Sequence, residues 1–220
     1  MSAERRVEVT TVNTPIPDLV PSTGRVFSLS DMTSGQLARR AKIIEEVIGL
    51  IAEVGADAVQ MRDVAQRSEV ALATLYRYFS SKENLLAAAL ADWQKRLTRR
   101  ILAGGGGADG DPLPGVLDYL RRAQKAFNRN PEMTALMLQM MTATDPEVRS
   151  AIDQMERTNV DLFNRLLAGV APEVIPQVTF GLNAALSAAL AGLRAGRLTL
   201  DESLGHVEWI ARVLLAEAHR

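Results

Sequence analysis

The sequence contains no cysteine and only two histidines, His206 and His219, in 220 residues. Without thiols there are no disulfides, thiolate metal sites or cysteine nucleophiles, which fits a reducing compartment. Both histidines lie near the C-terminus with no second cluster of metal-ligating residues around them. Zinc chemistry and Ser-His-Asp catalysis therefore lack a foundation, and the two read as solvent-exposed helical residues. Long apolar runs are also missing. None approaches the roughly 20 residues needed to cross a bilayer, and Met1 to Val20 lacks the apolar core of a signal peptide. A soluble, cytoplasmic chain without a membrane partner is expected. Neither strand-like alternation with β-branched enrichment nor an internal repeat is evident. Charge of one sign is not in excess, the formal net charge being −1.

Helical punctuation is what the chain does contain. Thr33 with Gln36 makes a capping box, and Leu37, Ala41, Ile44, Ile48 and Ile51 follow at spacings of three and four until Gly55 offers a C-cap. Ser80 with Glu83 opens another helix, whose stripe Leu86, Leu90, Trp93, Leu97 and Ile101 runs to the four glycines Gly104 to Gly107. That glycine run follows a helix rather than a strand and no Gly-Lys-Ser/Thr comes after it. It reads as a flexible linker over 103–111, not a phosphate loop. Further helices are expected at or soon after Pro112, at Asn130-Pro131, at Asp145-Pro146, at Pro172-Glu173 and at the Thr199 to Glu202 capping box. Proline directly after a capping residue is the favoured first-turn arrangement. The expected fold class is all-α with about nine helices. Residues 1–33 mix threonine, proline and single charges without periodicity and are expected to form a disordered arm, either a solvated tail or a source of phosphate contacts through Arg5, Arg6 and Arg25.

Charge is unevenly placed within the near-neutral total. Between Gln36 and Leu102 eleven cations face eight carboxylates, a weak basic footprint of the kind DNA binding uses. Inside this stretch, Val59 to Phe79 places apolar residues at Met61, Val64, Ala65, Val70 and Leu75. This suits two short helices packed across a tight turn around Ser68 to Ala71. In a helix-turn-helix of this spacing the second helix enters the major groove while the first crosses the backbone. An αα-hairpin that merely packs is the alternative, against which Gln60, Thr74, Arg77 and Lys82 stand as polar groups converging on one small surface.

The run Thr74-Leu75-Tyr76-Arg77-Tyr78-Phe79-Ser80-Ser81-Lys82-Glu83-Asn84-Leu85-Leu86 resembles the DNA-binding signature of the TetR family of transcriptional regulators, closely over Leu37 to Leu90 and elsewhere only in helix count and placement. The resemblance implies a helix-turn-helix domain over 34–82 and an effector-binding and dimerisation domain over 83–220. It also implies that Gln60 and Arg62 bond phosphates and that Leu72, Ala73 and Thr74 meet base edges or thymine methyls. Tyr76, Arg77 and Tyr78 would contact backbone or bases, and Lys82 would hold another phosphate. Two residues depart from the family pattern. Glu69 stands where glycine is usual in the turn, and Ala71 stands where serine commonly caps the recognition helix, a change that costs about 1 kcal/mol. Val59-Gln60-Met61-Arg62, Val70-Ala71 and Arg129-Asn130-Pro131 further resemble the cholesterol-catabolism repressors within that family.

Met133, Met137, Met140 and Met141 lie at i, i+4, i+7 and i+8. They are either adaptable core filling or the wall of an apolar effector pocket, with Phe127 before them and Phe163 after. Gly181, Ala184, Ala185, Ala188, Ala189 and Gly192 form a small-residue face beside Asn183, a candidate polar contact. The resemblance assigns a symmetric dimer interface to about Glu173 to Ala195 and Leu200 to Glu217, and so a homodimer that reads a palindromic operator in double-stranded DNA. It implies no cofactor and no enzymatic activity, but control of lipid or steroid catabolism by a small apolar effector. Steroid derivatives or acyl-CoA thioesters are the classes it implies, the latter needing cations such as Arg121, Arg122 and Lys125. The competing readings are an all-helical enzyme using Asp153, Glu156 or Asp161, and a constitutive DNA-binding protein without an effector.

Overall fold

Nine α-helices and one 3-10 turn, Leu29–Asp31, make up the regular structure of the described residues, 27–103 and 111–218, in this computed structural model. In chain order they are α1 (Ser34–Val54), α2 (Met61–Arg67), α3 (Leu72–Tyr78), α4 (Lys82–Leu102), α5 (Pro112–Arg129), α6 (Pro131–Met140), α7 (Pro146–Leu166), α8 (Ile175–Arg194) and α9 (Leu200–Ala218). The helix count matches the sequence expectation, and no strand occurs among the described residues. Arg5, Arg6, Arg25, the glycine run and His219 lie outside them, whereas His206 is exposed on α9 as expected.

The caps explain most of the boundaries. Thr33 and Gln36 close the capping box reciprocally, and α1 ends where Gly55, at φ 79°, donates its N–H to the Ile51 carbonyl. Asp111 caps α5 with Pro112 in its first turn, and Asp145 accepts from the Val148 N–H at the start of α7. Thr199 and Glu202 close a second box ahead of α9. Two starts differ from expectation. The N-cap of α4 is Ser81, not Ser80, because the Ser81 Oγ accepts from the Asn84 N–H at 3.0 Å. Pro172-Glu173 lies in a turn, and α8 begins at Ile175 because Pro176 is equally suited to a first turn.

Hydrophobic registers decide what faces inward. On α1 the buried residues are Ile43, Ile44, Val47 and Ile51. The expected stripe is therefore corrected at its beginning, Leu37 being 45% exposed, since the residues at i, i+1, i+4 and i+8 offer the bulkier inward face. On α4, Leu85, Leu86, Ala89 and Leu90 are buried, and the helix packs against α1 on one side and α5, α6 and α7 on the other. Trp93 meets Phe127 of α5 with ring centroids 5.1 Å apart, and Tyr119 meets Phe163 of α7 at 5.8 Å, both edge-on. The small-residue face of α8 divides in two. Ala185, Ala189 and Gly192 are buried, and a Cβ on Gly192 would come within 2.6 Å of the Leu198 side chain, while Ala184 and Ala188 point outward.

Within the expected arm, residues 27–33 are described and include the Leu29–Asp31 turn. The Phe27 N–H donates to the Arg77 carbonyl at 2.8 Å and its ring lies 5.1 Å from that of Tyr78. A single aromatic outside any periodic pattern leaves no trace in a helical-stripe reading.

One buried polar contact joins α5 to α9. The Ser203 hydroxyl donates to the Gln124 Oε1 at 2.8 Å, and the Gln124 amide donates to the Leu120 carbonyl. Both side chains are buried, so Ser203→Ala would strand an acceptor away from water. We predict a loss of about 1–3 kcal/mol in denaturant unfolding.

Candidate nucleic-acid interface

The turn between α2 and α3 is built on an unusual residue. The Val70 N–H reaches the Ala65 carbonyl at 3.0 Å and the Glu69 N–H reaches the Gln66 carbonyl at 3.1 Å, the paired bonds of a Schellman cap. The motif requires a left-handed residue at C′, the position just past the helix C-cap, and Glu69 occupies it at φ 57°. An L-residue there costs roughly 1–2 kcal/mol, the reason glycine is usual. Its carboxylate is paired with Lys42 of α1, which holds it below the ordinary carboxylate range. Arg67 at the end of α2 bonds Glu46 at 2.9 Å and Glu53 at 2.6 Å, so that α2 is tethered to α1 by exposed ion pairs as well as by buried Val64 and Ala65.

Helix α3 is held from below. Leu75 and Phe79 are fully buried, and Ala71 gives no side-chain cap, so packing rather than capping secures this helix. On a seven-residue helix, Ala73, Tyr76 and Arg77 lie at i, i+3 and i+4 on the side opposite Leu75 and Tyr78. Ala73 and Arg77 are exposed and Tyr76 half-exposed, flanked by half-buried Leu72 and Thr74. Gln60 and Arg62 are exposed at the start of α2, whose approach is fixed by the Lys82 ammonium donating to the Asp57 carbonyl at 2.7 Å. Lys82 is thus half-buried and already holds the loop before Gln60, with two of its three N–H donors remaining. Tyr78 is only 4% exposed and packs on Phe27, so its ring lies behind the exposed face of the helix. The residue that the sequence reading missed is Phe27, whose ring also carries the Arg77 guanidinium at 4.3 Å from its centroid and so orients it.

The predicted effector residues are distributed differently from expectation. Met133, Met137, Met140, Phe127 and Phe163 are buried and Asn183 is half-buried, but Met141 is 57% exposed. Helix α6 stops at Met140, which leaves Met141 as the C-cap with its side chain turned out. Phe127 and Phe163 are each taken up by an aromatic partner. A cleft of about 530 Å³ opens elsewhere, between α1, α4 and α7, and none of the seven predicted effector residues lines it. Asp153, Glu156 and Asp161 are all exposed on α7, and no cluster of three metal-ligating side chains occurs among the described residues.

An all-helical chain whose N-terminal helices form a helix-turn-helix with its second helix facing solvent, joined through α4 to a larger helical body, has the architecture of a DNA-binding regulator rather than an enzyme. The family of bacterial regulatory proteins described as the tetR family matches residues 43–89. The HTH-type transcriptional repressor KstR of Mycobacterium tuberculosis is 33% identical over 152 residues, 67% of each chain. KstR of Rhodococcus jostii is 34% identical over 140 residues, and this chain spans 65% of its length. Among solved structures, a TetR transcriptional regulator from Rhodococcus sp. RHA1 superposes with a TM-score of 0.72 at 27% identity, over 84% of this chain and 99% of that one. The chain belongs to the tetR family of bacterial regulatory proteins.

Glu69→Gly removes left-handed strain of roughly 1–2 kcal/mol and returns part of it as unfolded-chain entropy. A net gain of about 0.5–1 kcal/mol is expected in chemical unfolding.

Proposed function

We propose that this protein is a transcriptional repressor that binds a palindromic operator as a homodimer and is released by a small apolar effector, in the control of lipid or steroid catabolism. The observation that carries the DNA-binding part is the outward face of α3, with Ala73, Tyr76 and Arg77 presented to solvent and Gln60 and Arg62 exposed at the entry to α2. Arginine and glutamine there suit phosphate contacts, while a small residue, a hydroxyl and a guanidinium on α3 suit base edges and thymine methyls. Repression, rather than activation, is supported by the two KstR relatives, both of which are transcriptional repressors.

The homodimer is supported by apolar surface left uncovered in the single chain. Phe180 of α8 is 76% exposed and Trp209 of α9 is 67% exposed, with Val213 one turn beyond Trp209 and Ala184 and Ala188 following Phe180 at four-residue steps. Large aromatics on two adjacent helices are costly in water and favour burial against a second copy. Two-fold pairing would set two recognition helices against successive major-groove faces, which a single short α3 could not grip tightly. The effector part follows from the family resemblance and from a reciprocal coupling in which a ligand that favours the DNA-incompetent state weakens operator binding by its differential affinity.

Selection of bound sites from random duplex DNA, then titration of the recovered site with steroid and acyl-CoA ligands, tests the proposal. Enrichment of a palindrome released by one of them is expected, and recovery of no enriched sequence at moderate salt overturns it. Arg62→Ala should weaken binding uniformly across sequences and reduce the slope of log affinity against log salt by about 1. Thr74→Ala should instead relax preference at one base position in each half-site, by about 1–3 kcal/mol. Trp209→Glu should convert the dimer to monomer in sedimentation velocity and lower operator affinity by more than tenfold, since a central aromatic anchor contributes roughly 2 kcal/mol or more.

A further inference from the structure

The cleft between α1, α4 and α7 has the size and lining of a ligand site. Its volume of about 530 Å³ lies within the roughly 300–1,000 Å³ typical of small-molecule pockets. Ile44 of α1, Ala88 of α4, and Ala151 and Met155 of α7 supply an apolar lining. Three cations line it, Arg40 of α1, Lys95 of α4 and Arg157 of α7, and Arg40 and Lys95 take no part in the ion pairs formed among the described residues. The carboxylate nearest in charge to Arg40, Asp92, is already bridged to Arg96 at 2.6 Å. Arg40 is half-buried, rests on the Phe79 ring at 4.9 Å, and is held below the usual guanidinium value chiefly by burial, which Asp92 only partly offsets. A desolvated cation of this kind is stabilised by an anion that enters with it.

We propose that this cleft binds an amphipathic organic carboxylate, with its apolar body on Ile44, Ala88, Ala151 and Met155 and its charge at Arg40 and Lys95. A single negative charge can be met by Arg40 and Lys95 at the apolar lining, beside the one lining carboxylate, Asp92. A neutral apolar molecule would desolvate Arg40 further without compensating it. The site also has leverage. Its walls come from α1 and the Leu29–Asp31 turn on one side and from α7 on the other, with α4 running between them. An occupant touching both sides biases how the helix-turn-helix sits on the larger body. This consequence rests on the repressor reading given above, whereas the binding itself does not.

Calorimetric titration of the full chain with decanoate and with deoxycholate, both below their self-association concentrations, tests the site, with decanol as the uncharged control. We expect one site per chain for at least one carboxylate and binding of decanol at least about tenfold weaker than decanoate if decanoate is the ligand. Arg40→Gln and Lys95→Gln should each weaken the carboxylate by about tenfold and leave decanol unaffected; Lys95 is exposed, so its variant keeps the fold. Ala151→Trp, which fills the cleft, should abolish binding. No carboxylate binding, unchanged affinity in both charge variants, or full binding by Ala151→Trp overturns the proposal. Operator binding measured without ligand separates the two readings. Failure there with calorimetry intact removes the repressor function alone, and calorimetric failure with operator binding intact removes the cleft site alone.

Discussion

The burial of α4 between α1 and α7 is the constraint through which the two halves of this protein share one core. Leu85 and Leu90 are completely buried, each contributing roughly 1.5–3 kcal/mol against exposure, and the buried residues of both halves form a single contiguous cluster. Because α4 begins at Lys82, whose ammonium holds the loop leading into α2, its position also sets where the DNA-binding helices stand. A displacement of α4 against α7 is therefore felt at the entrance to the recognition unit. No separate relay is needed when one rigid helix is common to both bodies.

Within the N-terminal unit, stability and exposure are traded against each other at short range. A seven-residue helix is too short to persist alone, and α3 persists because Leu75 and Phe79 anchor it while its opposite side stays open. Left-handed strain at Glu69 is tolerated because the Schellman bonds and the packing of Val64 and Ala65 determine the turn more strongly than the residue's own preference. The exposed ion pairs of Lys42 and Arg67 add direction rather than much energy. Phe27 extends the unit backward along the chain, and by stacking beneath Arg77 it joins the segment before α1 to α3.

Among the buried polar side chains of the larger half, Gln124, Ser203 and Thr134 are hydrogen-bonded while the Thr179 hydroxyl is not, and aromatic pairs lock α4, α5 and α7. Met133, Met137 and Met140 are buried in that interior, and the open volume of about 530 Å³ lies at the junction of the halves. Thioether side chains adapt to whatever space neighbours leave, and their spacing alone cannot distinguish a wall around a cavity from a wall against another helix.

Sequence by itself determined the all-helical class, nearly every helix start and the helix-turn-helix, because caps, prolines and apolar spacing are local and act within one or two turns. The outward placement of Ala73, Tyr76 and Arg77 was equally legible once the helix register was known. Tertiary structure alone decided that Tyr78 faces inward, that Met141 faces outward, that Phe27 joins the recognition helix, and that the cleft lies against Arg40 and Lys95. Each of these depends on which distant element comes to lie against a side chain, and such contacts between residues far apart in sequence leave no periodic signal.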